Sequence, residues 1–506
     1  MSNIVGIDLG TTMSAIAVLN SVGKPEIIPN IEGERLTPSV IFYESNEKLF
    51  IGTEAKNTTG EEYAKVAKEF KREMHNETFS FDFKGQHYSA IELSSLILKK
   101  LVQDASKQVG EIKDVVISVP AYFKESQRSA TMQAGKLAGL NVIGIVNEPT
   151  AAALFYATVS KIAGRGLVYD LGGGTFDVTI TQTDGNDIKI IASEGDAHLG
   201  GLDFDQVLLD LIATKYEAVI GEKLYKNDAS KHEFLLQAEE MKKSLSSKNS
   251  IKQKIRGDSG SATIEITQSE FEEKISTYIS RTELLVEQVL DEAKCEVKDI
   301  DYILLVGGST RIPAIQKSIR SLMKKEPINA VNVDEAVALG AAIKAGLITV
   351  KDSPNKVSST IAKEMKSLNV SEVTNHSYGA ITLSFNATLN RHLASNTIIL
   401  KKNTPIPSSA SDTFYTTHQG QEIVEIKITQ GESDDPDFVD IIAKFELKLP
   451  PNREEGCPIK VTYSYDDNAM MHCQIFDVNS EKTEEYKVAL KIDASKKASL
   501  DSFLID

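Results

Sequence analysis

The sequence predicts a mixed α/β domain built from a repeated unit, followed by a small all-β sandwich. Three observations carry this. A strand that ends in Asp-Leu-Gly, turns, and continues as a strand occurs twice, at residues 4–19 and 167–180. Between and after these copies, apolar strands alternate with helical patterns, as in α/β architectures. Beyond residue 349 the helical periodicity fades, and from Gly379 short alternating strands separated by turn signals take over.

Composition sets the outer limits. A chain of 506 residues has room for two to four domains. Its formal charge of −16 excludes a general binder of nucleic acid or of anionic membranes. No apolar run is long enough to span a bilayer. The first apolar stretch has no basic region before it and is interrupted by Asp8, so a secretion signal is not expected. Cys295, Cys457 and Cys473 have no metal-ligand spacing, and an odd number predicts free thiols in a reducing, cytoplasmic setting.

The elements follow in order. Residues 4–19 form the first hairpin, and residues 25–42 a strand, a glycine turn and a second strand near Pro38. Residues 64–74 read as a helix carrying Lys71 and Arg72. That basic pair is either a solvated face or a charge aimed at a phosphate. Leu93, Leu96, Ile97, Leu101 and Val102 recur at helical spacing within 89–109. Residues 114–119 are a strand ending at Pro120, 126–140 a helix, and 142–146 a strand. Then comes Asn147-Glu148-Pro149-Thr150 and an alanine run opening a helix. Glu148 is either a helix-start carboxylate or a group at the strand's C-terminal end, where open α/β sheets place ligands. Helices are expected over 204–221 and 229–247, and Thr267-x-x-Glu270 is a capping box. A strand over 302–306 runs into a third glycine turn, Gly307-Gly308-Ser309-Thr310-Arg311. Residues 334–342 are a small-residue helix.

The second Asp-Leu-Gly copy runs through Gly172, Gly173 and Gly174 to Thr175. Consecutive glycines suit an ordinary hairpin, and they also leave backbone N–H groups open to an anion. The twin at Asp8 favours the second reading. Two facing loops place Asp8, Asp170 and two sets of amides around one phosphate chain. Mg²⁺ keeps most of its waters and takes few protein oxygens, which suits two carboxylates acting largely through water. Thr11, Thr12 and Thr175 add hydroxyls, Lys71 a charge, and Glu148 a group that can order a water.

With these motifs in place, the chain resembles the seventy-kilodalton heat-shock protein family of DnaK-type chaperones. The matching segments begin at Gly6-Ile7-Asp8-Leu9-Gly10, Asn147-Glu148-Pro149, Asp170-Leu171-Gly172 and Val306-Gly307-Gly308, in the family's order. The resemblance implies an actin-like ATPase domain of duplicated, ribonuclease H-like halves over residues 1–349. An interdomain linker follows at 350–373, then a β-sandwich peptide-binding domain at 374–490 and a short polar tail at 491–506 with no helical lid. It implies that ATP or ADP is held by Gly10, Thr11, Thr12, Met13, Gly172, Gly173, Gly174 and Thr175 at the phosphates. Glu239, Lys242, Lys243, Ser246, Gly307, Gly308, Ser309, Arg311 and Asp334 would form the nucleoside pocket. Asp8 and Asp170 would hold Mg²⁺, with potassium nearby, and Lys71, Glu148, Asp170 and Thr175 would carry hydrolysis. Pro120 and Arg128 would relay nucleotide state. Leu383, Phe414, Val424 and Ile426 either line a cleft for an extended apolar peptide or fill the sandwich core.

The implied function is that of an ATP-hydrolysing, stress-responsive protein-folding chaperone with fast exchange and specialised clients. It would be a monomer working with a J-domain co-chaperone and a nucleotide exchange factor. The alternative is an ATP-binding regulatory partner with little turnover. The short segment between Lys71 and Ser89, and the end of the chain soon after the sandwich, look like the HscC branch of bacterial relatives. Gly144 stands where the family has a basic J-domain contact, and Leu202 and Met13 also depart from its pattern. The segment Leu368-Asn369-Val370-Ser371-Glu372-Val373 carries polar residues at two places the family keeps apolar, which argues against strong interdomain coupling.

Overall fold

A computed structural model describes residues 3–58, 60–328, 333–386, 390–466, 471–487 and 494–506. Two sheets with one recurring pattern form its first part. In the first lobe, strands Asn141–Asn147, Asp114–Val119 and Val5–Asp8 run parallel, and Met13–Leu19 and Pro25–Ile27 continue antiparallel. In the second, Tyr302–Val306 runs parallel to Gly164–Leu171, which is followed antiparallel by Phe176–Asp184 and Asp187–Asp196. Each sheet therefore has a central strand carrying an aspartate at or near its end, followed by a hairpin. Asp114–Val119 is buried along its whole length, which is why it reads as a continuous apolar run rather than an alternating one.

Helices Glu148–Ser160 and Ala336–Asp352 share one core with residues of both sheets. Their small residues have a steric cause. A Cβ on Gly340 would lie 1.8 Å from the Ala151 carbonyl oxygen, and one on Gly6 would lie 2.0 Å from the Ala342 nitrogen. Backbones at that separation leave room only for glycine at positions 6 and 340. Elsewhere, helix Ala90–Val109 starts at a capping box in which the Ser89 N–H donates to the Glu92 carboxylate at 2.8 Å. Thr267 and Glu270 form the other expected box, with the Thr267 N–H donating at 2.8 Å.

Residues 64–74 are not one helix. Two short 3₁₀ turns, Gly60–Lys65 and Phe70–Glu73, flank the strand Val66–Ala67, which pairs with Ile41–Tyr43. Pairing with a distant strand overrides the local helical pattern. The turn then swings Lys71 inward, where it is 4% exposed. The hairpin of Ser250–Gly257 and Gly260–Thr267 was not anticipated from sequence.

Among the described residues the sandwich has eight strands in two sheets, ordered Arg391–Leu400, Tyr378–Asn386, Ile423–Gln430, Asp440–Lys448 and Ser408–Tyr415, Pro458–Tyr465, Met471–Asp477, Lys482–Lys487. Its last strand is described to Lys487, and residues 488–493 lie outside the described residues.

Two segments differ from expectation. Residues 350–373 are not an unstructured linker. They contain the end of helix Ala336–Asp352, helix Ser359–Lys366 and strand Asn369–Val373. That strand joins the second lobe's sheet, parallel to Asp187–Asp196, and also pairs with Pro405–Ile406 of the β domain. The polar Glu372 has a structural reason: its carboxylate accepts from Lys344 at 2.8 Å, with both residues buried. Nor is 491–506 a loose polar tail where it is described. Helix Ala494–Asp501 and strand Leu504–Ile505 pack on the first lobe. Residues 491–493 lie outside the described residues.

The sandwich seats on the α/β part through polar contacts. Tyr465 donates to Glu125 at 3.1 Å, Lys402 pairs with Glu194 and, at 2.9 Å, with Glu292, and the rings of His376 and Tyr122 are 4.8 Å apart. Burial lifts the Glu125 carboxyl above its ordinary value and pushes His376 down to about 4.

Candidate functional site

Both Asp-Leu-Gly hairpins open onto a single cavity of about 480 Å³ between the lobes. That volume is in the range of small-molecule sites. The first hairpin is braced by serines. Ser14 accepts from the Gly10 N–H at 3.1 Å, and Ser39 donates to the Gly10 carbonyl at 2.8 Å. The second is held from the second lobe. The Gly201 and Leu202 amides donate to the carbonyls of Gly172 and Gly173 at 3.0 and 2.9 Å, and Ser309 donates to Gly172 at 2.8 Å. A Cβ on Gly173 would come within 2.3 Å of Thr12, and one on Gly307, where φ is +81°, within 2.4 Å of the Leu171 carbonyl oxygen. Glycine at those places is a condition for the hairpins to meet.

The floor of the cavity concentrates negative charge. Asp8, Glu148 and Asp170 face one another around Lys71, whose ammonium is 2.8 Å from Glu148. Burial, reinforced by Glu148, raises the Asp8 carboxyl to about 7. Asp170 is pushed well above the usual carboxylate range by burial and then by Glu148, Asp177 and Asp8. Asp177, raised by burial and Glu148 to about 8, accepts from the Tyr122 N–H at 3.1 Å. Asp170 also has a buried oxygen, Oδ2, without a hydrogen-bond partner among the described residues. Clustered carboxylates with one lysine and an orphaned oxygen are a site short of positive charge, and a hydrated divalent cation fits that deficit.

The opposite wall comes from the second lobe. Glu239, Lys242, Lys243, Ser246, Gly307, Gly308, Ser309, Arg311 and Asp334 all border the cavity, as do Gly10, Thr11, Thr12, Met13, Gly174 and Thr175. Lys242 pairs with Asp205 at 2.8 Å and donates to the Gly201 carbonyl at 2.9 Å, and Arg311 pairs with Asp334 at 2.7 Å. Arg72 bridges the Gly174 carbonyl, at 3.0 Å, and Asp203, at 2.7 Å. Sequence reasoning missed the contacts that span the cleft. Lys56 pairs with Glu239 at 2.7 Å, and Tyr63 stacks on His232 at 4.3 Å. No local signal marks residues so far apart in the chain. Burial alone would raise Glu239, but its pairs with Lys56 and Lys243 outweigh that and hold it at about 2.

That latch carries an expected result. Lys56→Ala should speed nucleotide release by about two- to fivefold, the factor that about 0.5–1 kcal/mol of a partly exposed ion pair supplies. Stopped-flow displacement of a fluorescent nucleotide reads it, and a rate equal to wild type would show that the pair does not hold the cleft.

Pro120 and Arg128 lie outside the cavity. Both are buried, and both terminal guanidinium nitrogens of Arg128 donate to the Asn147 side chain at 2.9 Å, one residue before Glu148. Three of the four cleft candidates of the β domain gather at its core and the fourth does not. Ile426 is in the sandwich core with Phe414 and Val424 packed against it, whereas Leu383 is 61% exposed on another strand. Strand alternation sends Val424 and Ile426 to the inner face.

Facing glycine hairpins, a carboxylate floor and a polar far wall line one cleft of an α/β protein with a β domain attached, and that lining suits a polyphosphate. The family model described as Hsp70 protein matches residues 4–80 and 73–502, and the chain belongs to that family. Its members are ATP-dependent chaperones that bind ATP or ADP with Mg²⁺, client peptides, and J-domain and exchange-factor partners. Among the described residues, no helix is long and apolar enough to cross a membrane.

Proposed function

We propose that this chain hydrolyses ATP in the cleft between its lobes and uses nucleotide state to set the affinity of its β domain for extended apolar segments of client proteins. One observation carries the reading. Strand Asn369–Val373, which leads into the β domain, lies in the same sheet as the hairpin bearing Asp170. A shift of the phosphate hairpin can therefore reach the β domain through backbone pairing.

In this reading the two sheets are duplicated, ribonuclease H-like halves, and residues 1–349 and 374–490 are the ATPase and peptide-binding domains. Asp8 and Asp170 would hold the hydration shell of Mg²⁺, with potassium nearby, and the ion would supply positive charge against the phosphates. The glycine hairpins, with Thr11, Thr12 and Thr175, cradle the phosphates. Lys71 and Glu148 orient the attacking water, and Glu148 accepts its proton. Pro120 and Arg128 pass the state of that site toward the β domain. The described residues after the sandwich lie on the first lobe rather than over the sandwich. Fast peptide exchange, a specialised client range and the HscC-like assignment belong to the same reading. A cytoplasmic monomer assisted by an exchange factor completes the proposal, with J-domain docking weakened by Gly144.

ATP turnover with and without an apolar peptide tests it. Stimulation by peptide, with peptide residence of seconds or less, is the expected result. Tight ATP binding without turnover would instead identify a regulatory partner.

A further inference from the structure

The first lobe contains a seat for an added strand, and this chain fills it with its own residues 494–506. Leu504–Ile505 runs parallel to Lys48–Ile51, the edge strand of a small sheet of the first lobe. The Leu504 N–H donates to the Glu47 carbonyl at 2.8 Å, the Asp506 N–H to Leu49 at 3.0 Å, and the Ile51 N–H to the Asp506 carbonyl at 3.0 Å. Leu500, Phe503 and Ile505 are buried in the first-lobe core, with Phe503 edge-on to Tyr43 at 5.9 Å. Lys99 pairs with Asp501 at 2.5 Å, Lys496 with Glu92 at 3.3 Å and Lys48 with Asp506 at 3.3 Å. Backbone pairing plus alternate side chains in pockets is how a sheet edge takes up a strand.

The place of this seat matters more than its strength. The β domain enters from strand Asn369–Val373, in the second lobe's sheet. It leaves from Lys482–Lys487 toward a segment seated on the first lobe. The nucleotide cleft lies between those lobes. We propose that residues 494–506 are a strap: a second, first-lobe attachment that keeps the β domain docked across both lobes. Residues 487 and 494 are joined by seven peptide steps, which span at most about 25 Å. While the strap is seated, the end of the sandwich stays within that reach. The second attachment then acts at high effective concentration.

A segment that merely completes the first-lobe core would show the same contacts, so the test separates tethering from packing. A protease site placed within residues 488–493 of the full chain is cut, leaving 494–506 seated. Hydrogen exchange is read at Asn369–Val373 and at Lys48–Ile51. The strap predicts that cutting raises exchange at Asn369–Val373 by about tenfold or more while Lys48–Ile51 stays protected. Unchanged exchange at Asn369–Val373 would overturn it. Should the cut piece dissociate, as loss of protection at Lys48–Ile51 would reveal, a continuous Gly-Ser insertion of about 20 residues at the same place replaces the cut. That insertion lowers the effective concentration by about sevenfold. A matching rise in exchange supports the strap, and no rise rejects it.

Discussion

Lys71→Ala is expected to lower ATP turnover by about 10²–10³-fold, the usual loss when a preorganised charge is removed from a reacting site. Nucleotide binding should persist. Lys71 is 4% exposed and bonded to Glu148 at 2.8 Å, inside a ring of carboxylates. Its ammonium is the buried cation held beside Glu148 where the hairpins meet, so it is positioned to stabilise charge that develops on a transferred phosphate or on an attacking water. The far wall, with Lys242, Arg311 and Asp334, and both glycine hairpins stay in place, so most groups that hold the nucleotide remain. Single-turnover hydrolysis and equilibrium binding, measured on protein shown by melting to be folded, separate the two effects. Turnover near wild type would remove Lys71 from the chemistry. Lys71→Arg is not expected to rescue, because a planar fork does not fit the place of a compact ammonium.

Glu372→Ala should release the β domain from the ATPase part. Lys344 and Glu372 form a buried pair at 2.8 Å between the helix shared by the two sheets and the strand leading to the sandwich. Removing one partner of a buried pair costs about 3–5 kcal/mol, because the other charge is left without compensation. The cost falls on the docked arrangement, since undocking exposes Lys344 to water. Hydrogen exchange at Asn369–Val373 should therefore rise by about 10²- to 4 × 10³-fold, given tenfold per 1.4 kcal/mol. Basal turnover should survive, while peptide stimulation should disappear. The double variant Lys344→Met with Glu372→Met removes both charges and should restore docking, since apolar replacement of a buried pair is often neutral or better. Unchanged exchange in the single variant would show that the pair does not hold the strand.

This pair also shows where sequence reading stops. In the sequence Glu372 is one of three polar residues within 368–373, and nothing local assigns it a partner. In the fold it has a lysine 28 positions upstream waiting for it. The same limit applies to Lys56 and Glu239, 183 positions apart, and to Val66–Ala67, where an edge strand claims residues that look helical. In the final segment, Leu500, Phe503 and Ile505 change from helical to strand spacing within six residues, so no single period marks them.

What the sequence determined by itself was local chemistry. An apolar strand ending in aspartate and then glycine, written twice, specifies two hairpins, and both open onto one cavity. The reason lies within a few residues: glycine permits the tight turn and the strand carries the aspartate to its end. The alternation of strands and helices, the glycine turn at Gly307 and the eight-stranded sandwich were legible for the same reason. The tertiary structure alone decided which distant groups close the cleft, that residues 369–373 complete a sheet, and that residues 494–506 return to the first lobe. Those outcomes depend on unpaired sheet edges and buried charges elsewhere in the chain, and a free edge or an uncompensated charge exists only once the rest has folded around it.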